Sequence, residues 1–169
     1  MTTLEIVNEE NAAEARINFG LCRTIPDGIP KQIETAVRDF IKVSHTPEGV
    51  DHVGFYRQTL QAIASATVLN GAGDLWLGML NGELYTYLLC HFTNDIDGRL
   101  TYIVSQAWVR KDQRGQPWVK WAWERVRKRA KDSFCGHFMV ISSRGNDLAY
   151  CRFLGKGFKP YASLLKEDF

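Results

Sequence analysis

The dipeptide Asn81-Gly82 sits between two apolar runs, Leu75-Trp76-Leu77-Gly78-Met79-Leu80 before it and Leu84-Tyr85-Thr86-Tyr87-Leu88-Leu89 after it. Both turn residues tolerate the positive φ that a tight two-residue hairpin demands, so this is a strong local signal for paired antiparallel strands. It predicts strands over residues 75–80 and 83–93 and fixes their register, because a one-residue slip would turn every apolar side chain to the wrong face. Asn94 to Gly98 reads as a second turn, and residues 100–109 as a third strand. A three-stranded meander therefore sits at the centre of the chain, and an all-helical fold is excluded.

The flanks have a different period. Ile33, Val37, Phe40 and Ile41 recur at helical spacing, predicting an amphipathic helix over residues 31–43. Pro47 breaks the chain, and a second helix is expected over 50–69 with Phe55, Leu60, Ile63 and Ala64 inward. Upstream, Leu4 to Val7 reads as a short strand and Glu9 to Phe19 as one or two helical turns, followed by a Pro- and Gly-rich loop. Beyond the meander, Pro117 suits the first position of a helix. Val119, Ala122, Trp123, Val126 and Ala130 share one face of it, and Arg125, Lys128, Arg129 and Lys131 lie mostly on the other. A strand over 137–142, a helix over 146–154 and a strand over 158–165 complete the order. N-terminal helices, an antiparallel meander and a βαβ unit make a mixed α/β fold, expected as one domain over residues 1–169.

Composition narrows the function classes. A net charge of +2 on 169 residues favours no anionic partner by itself. Cys22, Cys90, Cys135 and Cys151 form no C-x-x-C pair, and neighbours such as Cys90 and His91 on a strand point to opposite faces. No metal is therefore expected, and the thiols read as free in a reducing compartment. No apolar run approaches the ~20 residues of a membrane span. The acidic N-terminus lacks the pattern of a signal peptide, so the expected location is cytoplasmic, or within a larger assembly built there.

Two stretches carry a family resemblance. In the first, from Arg144 to Lys159, Asn146 precedes Ala149, then Phe153, then Gly157-Phe158. In the second, VRKDQRGQPWVKW from Val109 to Trp121, an apolar strand ends at a valine and a charged turn leads through Arg114-Gly115 into a helix. Together they resemble the GNAT (GCN5-related N-acetyltransferase) family over residues 74–169; residues 1–73 agree in kind without a motif. The resemblance implies the GNAT fold, an acetyl-CoA cofactor if the protein is active, and N-acetyl transfer to an amine. It also implies that backbone N–H groups after the valine hold the coenzyme pyrophosphate, at a helix N-terminus suited to anions. Carried over by position, the cofactor-binding candidates are Val109, Arg114, Gly115, Gln116 and Asn146.

This chain departs from the pattern at three positions. Pro117 stands at the first motif glycine and has no N–H to donate. Val119 stands at the second small residue, where a branched side chain is expected to crowd the ligand. A charge-assisted hydrogen bond is worth ~1.5–3 kcal/mol, so the two changes together predict binding weakened by roughly two to four powers of ten. Phe153 stands where many relatives have a proton-donating tyrosine, so no catalytic residue is assigned. Glu83, the carboxylate within the long strand region, reads as a solvated hairpin end.

The expectation is a GNAT-like protein, weakly active or non-catalytic, acting through protein contacts. Eroded GNAT-like proteins are common in tailed-phage genomes, some as virion or assembly components. Trp118 and Trp121 fall off the apolar face of the third helix and are the interface candidates, facing protein partners or a second copy. The alternative is an active N-acetyltransferase in which Arg110, Lys111, Arg114 and Lys120 replace the missing donors by side-chain charge. Nucleic-acid binding through the basic run from Arg110 to Lys131 is a third reading, set against a solvated helix face balancing the acidic N-terminus.

Overall fold

A computed structural model describes residues 17–43, 51–68 and 73–141. Five strands form one sheet in the order β1-β2-β3-β4-β5: Asn18–Cys22, Asp74–Leu80, Glu83–Asn94, Leu100–Val109 and His137–Val140. The first four pair antiparallel and β5 pairs parallel to β4. The expected meander is present, and Asn81 and Gly82 take φ of 51° and 79° in its first turn. The expected strand and helix over 146–165 lie outside the described residues, as does the strand at Leu4 to Val7.

β1 was not foreseen. The expected helical turn reaching Phe19 is a strand from Asn18, with Phe19 opposite Gly78 and Leu21 opposite Trp76. Five residues interrupted by Gly20 carry little periodicity. They become a strand because the open edge of β2 satisfies their backbone groups.

Helices α1 (Ile29–Val43) and α2 (His52–Val68) cover one face of the sheet, and α3 (Pro117–Asp132) covers the other. α1 buries Ile33, Ala36, Val37 and Ile41 against Leu75, Leu77, Tyr87 and Trp108. Its Gln32 clips the hairpin, donating to the Gly82 carbonyl at 2.9 Å and accepting from the Leu84 N–H at 2.8 Å. Asp51 caps α2, its Oδ1 accepting from the Val53 N–H at 3.0 Å. α3 packs Trp118, Val119, Ala122, Val126 and Ala130 on Trp76, Leu88, Tyr102 and Val104. Among the described residues no helix is long and apolar enough to cross a membrane.

Candidate functional site

The candidate site lies at a bulge of β4, just past the last β5 residues the structure describes. β4 and β5 pair only from Thr101–His137 to Val104–Val140, closed by the Ile141 N–H on the Val104 carbonyl at 2.9 Å. Among the described residues, β4 then runs on to Val109 with no β5 partner. The register against β3 shifts at the same place: Cys90 faces Val104 and Leu89 faces Gln106, leaving Ser105 as one extra residue. Such a bulge re-aims the side chains that follow it. Tyr102 and Val104 face α3, whereas Gln106 and Trp108 face α1 and α2.

Beside the bulge, between α2 and the sheet, lies a cavity of about 370 Å³. Gln58, Thr59 and Ser65 line it from α2, and His91, Ser105 and Gln106 from the sheet. Gln106 donates to the Thr59 hydroxyl at 2.8 Å and accepts from the Tyr87 hydroxyl at 3.1 Å; Ser105 donates to the Leu89 carbonyl at 3.0 Å. None of the described lining residues is Asp, Glu, Lys or Arg. His91 is half-buried, and burial pulls its imidazole below the ordinary value of 6.5. Burial pushes the neighbouring Cys90 thiol well up, where it packs in the cluster on the α3 face.

The second part of the site is the connection from β4 to α3. A 3-10 turn (Lys111–Gln113) leads through Arg114 to Gly115, whose φ is 84°, and Gln116 caps the helix ahead of Pro117. The donors can be counted. The Gln116 N–H is taken by the Gln113 carbonyl at 3.3 Å and the Val119 N–H by the Gln116 carbonyl at 3.0 Å. Pro117 has none. The N–H groups of Gly115 and Trp118 have no acceptor among the described residues. A Cβ added at Gly115 would meet nothing within 4 Å, so the loop is open there. Two backbone donors, those of Gly115 and Trp118, are thus left open at the loop among the described residues.

Side chains around the loop differ from expectation in three ways. Val119 is 4% exposed, its isopropyl group packed into the core beneath α3 and therefore turned away from the loop. It does not crowd a ligand there. Arg110 is not a spare cation: it pairs with Asp112 at 2.8 Å and Glu83 at 2.9 Å, and its guanidinium stacks 3.6 Å from the Tyr85 ring centroid. Trp118 is buried at 6% exposure, with Nε1 donating to Gln113 at 3.2 Å. The expected exposed tryptophan pair is thus one ring, Trp121, which lies edge-on to Phe19 with Arg125 over its face.

The remaining candidates separate cleanly. Arg114, Gly115 and Gln116 are exposed at the loop and Val109 is half-buried at the strand end, so the structure gathers these four. Asn146 and Phe153 lie outside the described residues. Sequence reasoning missed His91, Ser105 and Gln106; strand alternation from Tyr87 and Leu89 to His91 would have placed the histidine on the α2 face, but the bulge has no sequence mark. Within the basic run, Arg129 pairs with Asp74 and Lys128 with Asp132, at 3.0 and 2.8 Å. Asp95, Asp97 and His137 bring their ligand atoms within 4.8 Å of one another. Asp97 there already pairs with His137 at 3.0 Å and Arg99 at 3.3 Å.

No family model and no curated protein matches the sequence. Solved structures match the fold. A predicted acetyltransferase from Clostridium acetobutylicum, solved with acetyl-CoA, superposes with a TM-score of 0.67 at 10% identity, over 90% of this chain and 96% of that one. A transcriptional regulator from Bacillus halodurans gives 0.64 at 18% identity, over 90% and 99%. A GNAT family acetyltransferase from Staphylococcus aureus gives 0.60 at 9% identity, over 92% and 100%. With a five-stranded mixed sheet, a bulge in β4 and a glycine turn leading into α3, this chain has the GNAT acetyltransferase fold.

Proposed function

We propose that the chain is an acetyl-CoA-dependent N-acetyltransferase with a weakened coenzyme cradle, working in the cytoplasm where that thioester is at hand. The fold shared with an acetyltransferase solved with acetyl-CoA, with β4 bulged at Ser105 beside a cavity under α2, carries the reading. Acyl transfer needs a thioester carbonyl and an amine held in line. Among the described residues β4 has no β5 partner over residues 105–109, and an edge of that kind offers backbone groups to an extended amide-bearing chain, as a sheet edge does to a peptide. Gly115 and Trp118 would hold the pyrophosphate through their N–H groups, with the charges of Lys111, Arg114 and Lys120 close by in sequence. Acetyl-CoA, when bound, supplies the acetyl group as a thioester.

Pro117 removes one donor from this cradle, a loss of ~1.5–3 kcal/mol. With Val119 turned inward, no steric term adds to it. The expected weakening is about one to two powers of ten. Titration calorimetry with acetyl-CoA tests the reading: weak binding is expected for the wild type, tightened by Pro117→Gly. Silence from both proteins overturns it.

A second reading, an assembly component acting through protein contacts, is favoured by one observation. Ile96 and Phe134 are 94% and 92% exposed at the same end of the sheet, where the Gly136 N–H bonds the Leu100 carbonyl at 2.8 Å. Sedimentation of the wild type beside an Ile96→Ser, Phe134→Ser double variant tests for self-association there. A monomer in both cases removes the second-copy form of this reading.

A further inference from the structure

The turn from β3 to β4 reads Asp95-Ile96-Asp97-Gly98-Arg99, and β5 begins at His137, forty residues beyond Asp97. The topology brings the two together. β5 pairs parallel to β4 from Thr101–His137, and the Gly136 N–H bonds the Leu100 carbonyl at 2.8 Å, which delivers the imidazole to the turn. The turn is closed by the Asp95 N–H on the Arg99 carbonyl at 2.9 Å and the Gly98 N–H on the Asp95 carbonyl at 2.8 Å. No spacing in the sequence marks this set, because its third member comes from another strand, and a metal was not expected for that reason.

Each carboxylate is held at one oxygen by a backbone N–H. Asp95 Oδ1 accepts from Ile96 at 2.7 Å and Asp97 Oδ1 from Arg99 at 3.0 Å. Both Oδ2 atoms point at one ring nitrogen, His137 Nε2, from 3.9 and 3.0 Å. The ligand atoms of the three residues all lie within 4.8 Å of one another. Two features separate this set from a pair of surface acids. One is the imidazole, a neutral nitrogen donor brought in by β5. The other is the burial of Asp95, whose side chain is only 9% exposed. A carboxylate so far out of water gains most from a concentrated positive charge.

We propose that Asp95, Asp97 and His137 form a binding site for a divalent transition ion of the zinc class, through Oδ2 of each aspartate and Nε2 of the histidine. Ligand atoms around tetrahedral zinc lie about 3.4 Å apart when each is about 2.1 Å from the metal. The 3.0 and 3.9 Å separations bracket that spacing, so small side-chain rotations seat the ion. Calcium and magnesium take oxygen donors, whereas an imidazole beside carboxylates suits zinc and its neighbours in the first transition row.

Arg99 competes for Asp97 Oδ2 from 3.3 Å, but both side chains are exposed, and a surface pair of that kind yields at little cost. His137 is half-buried and Asp97 exposed, which gives the ion a path in. Three protein ligands leave coordination positions for water. The bound ion fastens the β3–β4 turn to the start of β5, and with it the exposed Ile96 between the two aspartates. The site is independent of the acyl-transfer reading.

The test titrates zinc chloride into the full chain, stripped beforehand with a chelator, and compares magnesium and calcium chloride by calorimetry. One zinc per chain is expected, with far weaker uptake of the other two. His137→Gln and Asp97→Asn should each lower zinc affinity by about a hundredfold, the top of the range for losing even an outer-shell partner. His52→Gln, with its imidazole at the start of α2, should bind as the wild type does. Zinc should raise the melting temperature of the wild type and leave that of the two site variants unmoved. Cobalt(II) is the second probe, and its visible spectrum should lack the thiolate charge-transfer band that cysteine ligation produces. No zinc uptake by the wild type, affinity unchanged in both site variants, or a thiolate band overturns the proposal. Calcium binding as tight as zinc overturns the choice of ion.

Discussion

The two faces of the sheet handle polar atoms in opposite ways. Under α3, Asp74 is 1% exposed in its side chain and carries a full set of donors. Tyr102 donates to it at 2.7 Å, Arg129 at 3.0 Å and Arg23 at 3.0 Å, while the Trp76 indole donates to the Tyr102 oxygen at 3.0 Å. Under α2 the polar groups are neutral and surround open volume. A buried carboxylate is tolerated only where fixed cations and hydroxyls replace its water, and such a cluster locks α3 and the chain after β1 onto the sheet. A neutral wall around a cavity costs little to keep and leaves room for a guest. The α3 face is locked by charge, and the α2 face keeps open volume.

That contrast can be broken most directly at Asp74. Asp74→Ala strands two arginines and a tyrosine hydroxyl around an apolar methyl, and urea unfolding should register a loss of about 3–5 kcal/mol. A loss below about 1 kcal/mol would mean that the cluster behaves as a surface pair, and the contrast between faces would go with it. Val119→Gly comes next. It removes a buried isopropyl group and puts glycine in a helix, an expected cost of about 2–4 kcal/mol, with no gain in acetyl-CoA affinity. An affinity gain would show that Val119 reaches the loop after all.

Pro117→Gly should do the reverse, tightening acetyl-CoA by about ten- to a hundredfold in calorimetry with little change in stability. The smallest effect belongs to the far end of the sheet. A hydrogen bond from His137 and another from the Arg99 N–H hold the Asp97 carboxyl below its ordinary value of 3.8. A lowered carboxylate pKa contributes stability that is present above the unfolded value and lost as the pH falls through the folded one. The stability difference between wild type and Asp97→Asn should therefore shrink below about pH 4, and a difference independent of pH would show that the pair is not coupled to folding.

Legibility in the sequence followed the range of the interaction. The Asn81-Gly82 hairpin, the α1 periodicity and the proline at the start of α3 are local signals, and each element is present within two residues of its expected end. β1 was missed because its evidence is the free edge of a strand more than fifty residues away. At the site, Arg114 and Gly115 were visible as a glycine turn after a strand. The inward turn of Val119 follows from the same helical face that marks Ala122 and Val126, whereas the closure of Arg110 by Glu83 needs two chain segments to meet.

By itself, the sequence determined the central meander, the three helices α1 to α3 and the loss of one donor at Pro117, because period, turn chemistry and the missing N–H are properties of neighbouring residues. The tertiary structure alone decided that β4 gains a residue at Ser105, that β1 pairs with β2, and that His91 shares a cavity with α2. Those outcomes depend on which residues lie opposite one another across strands and layers, and no pattern within a single strand records its partner.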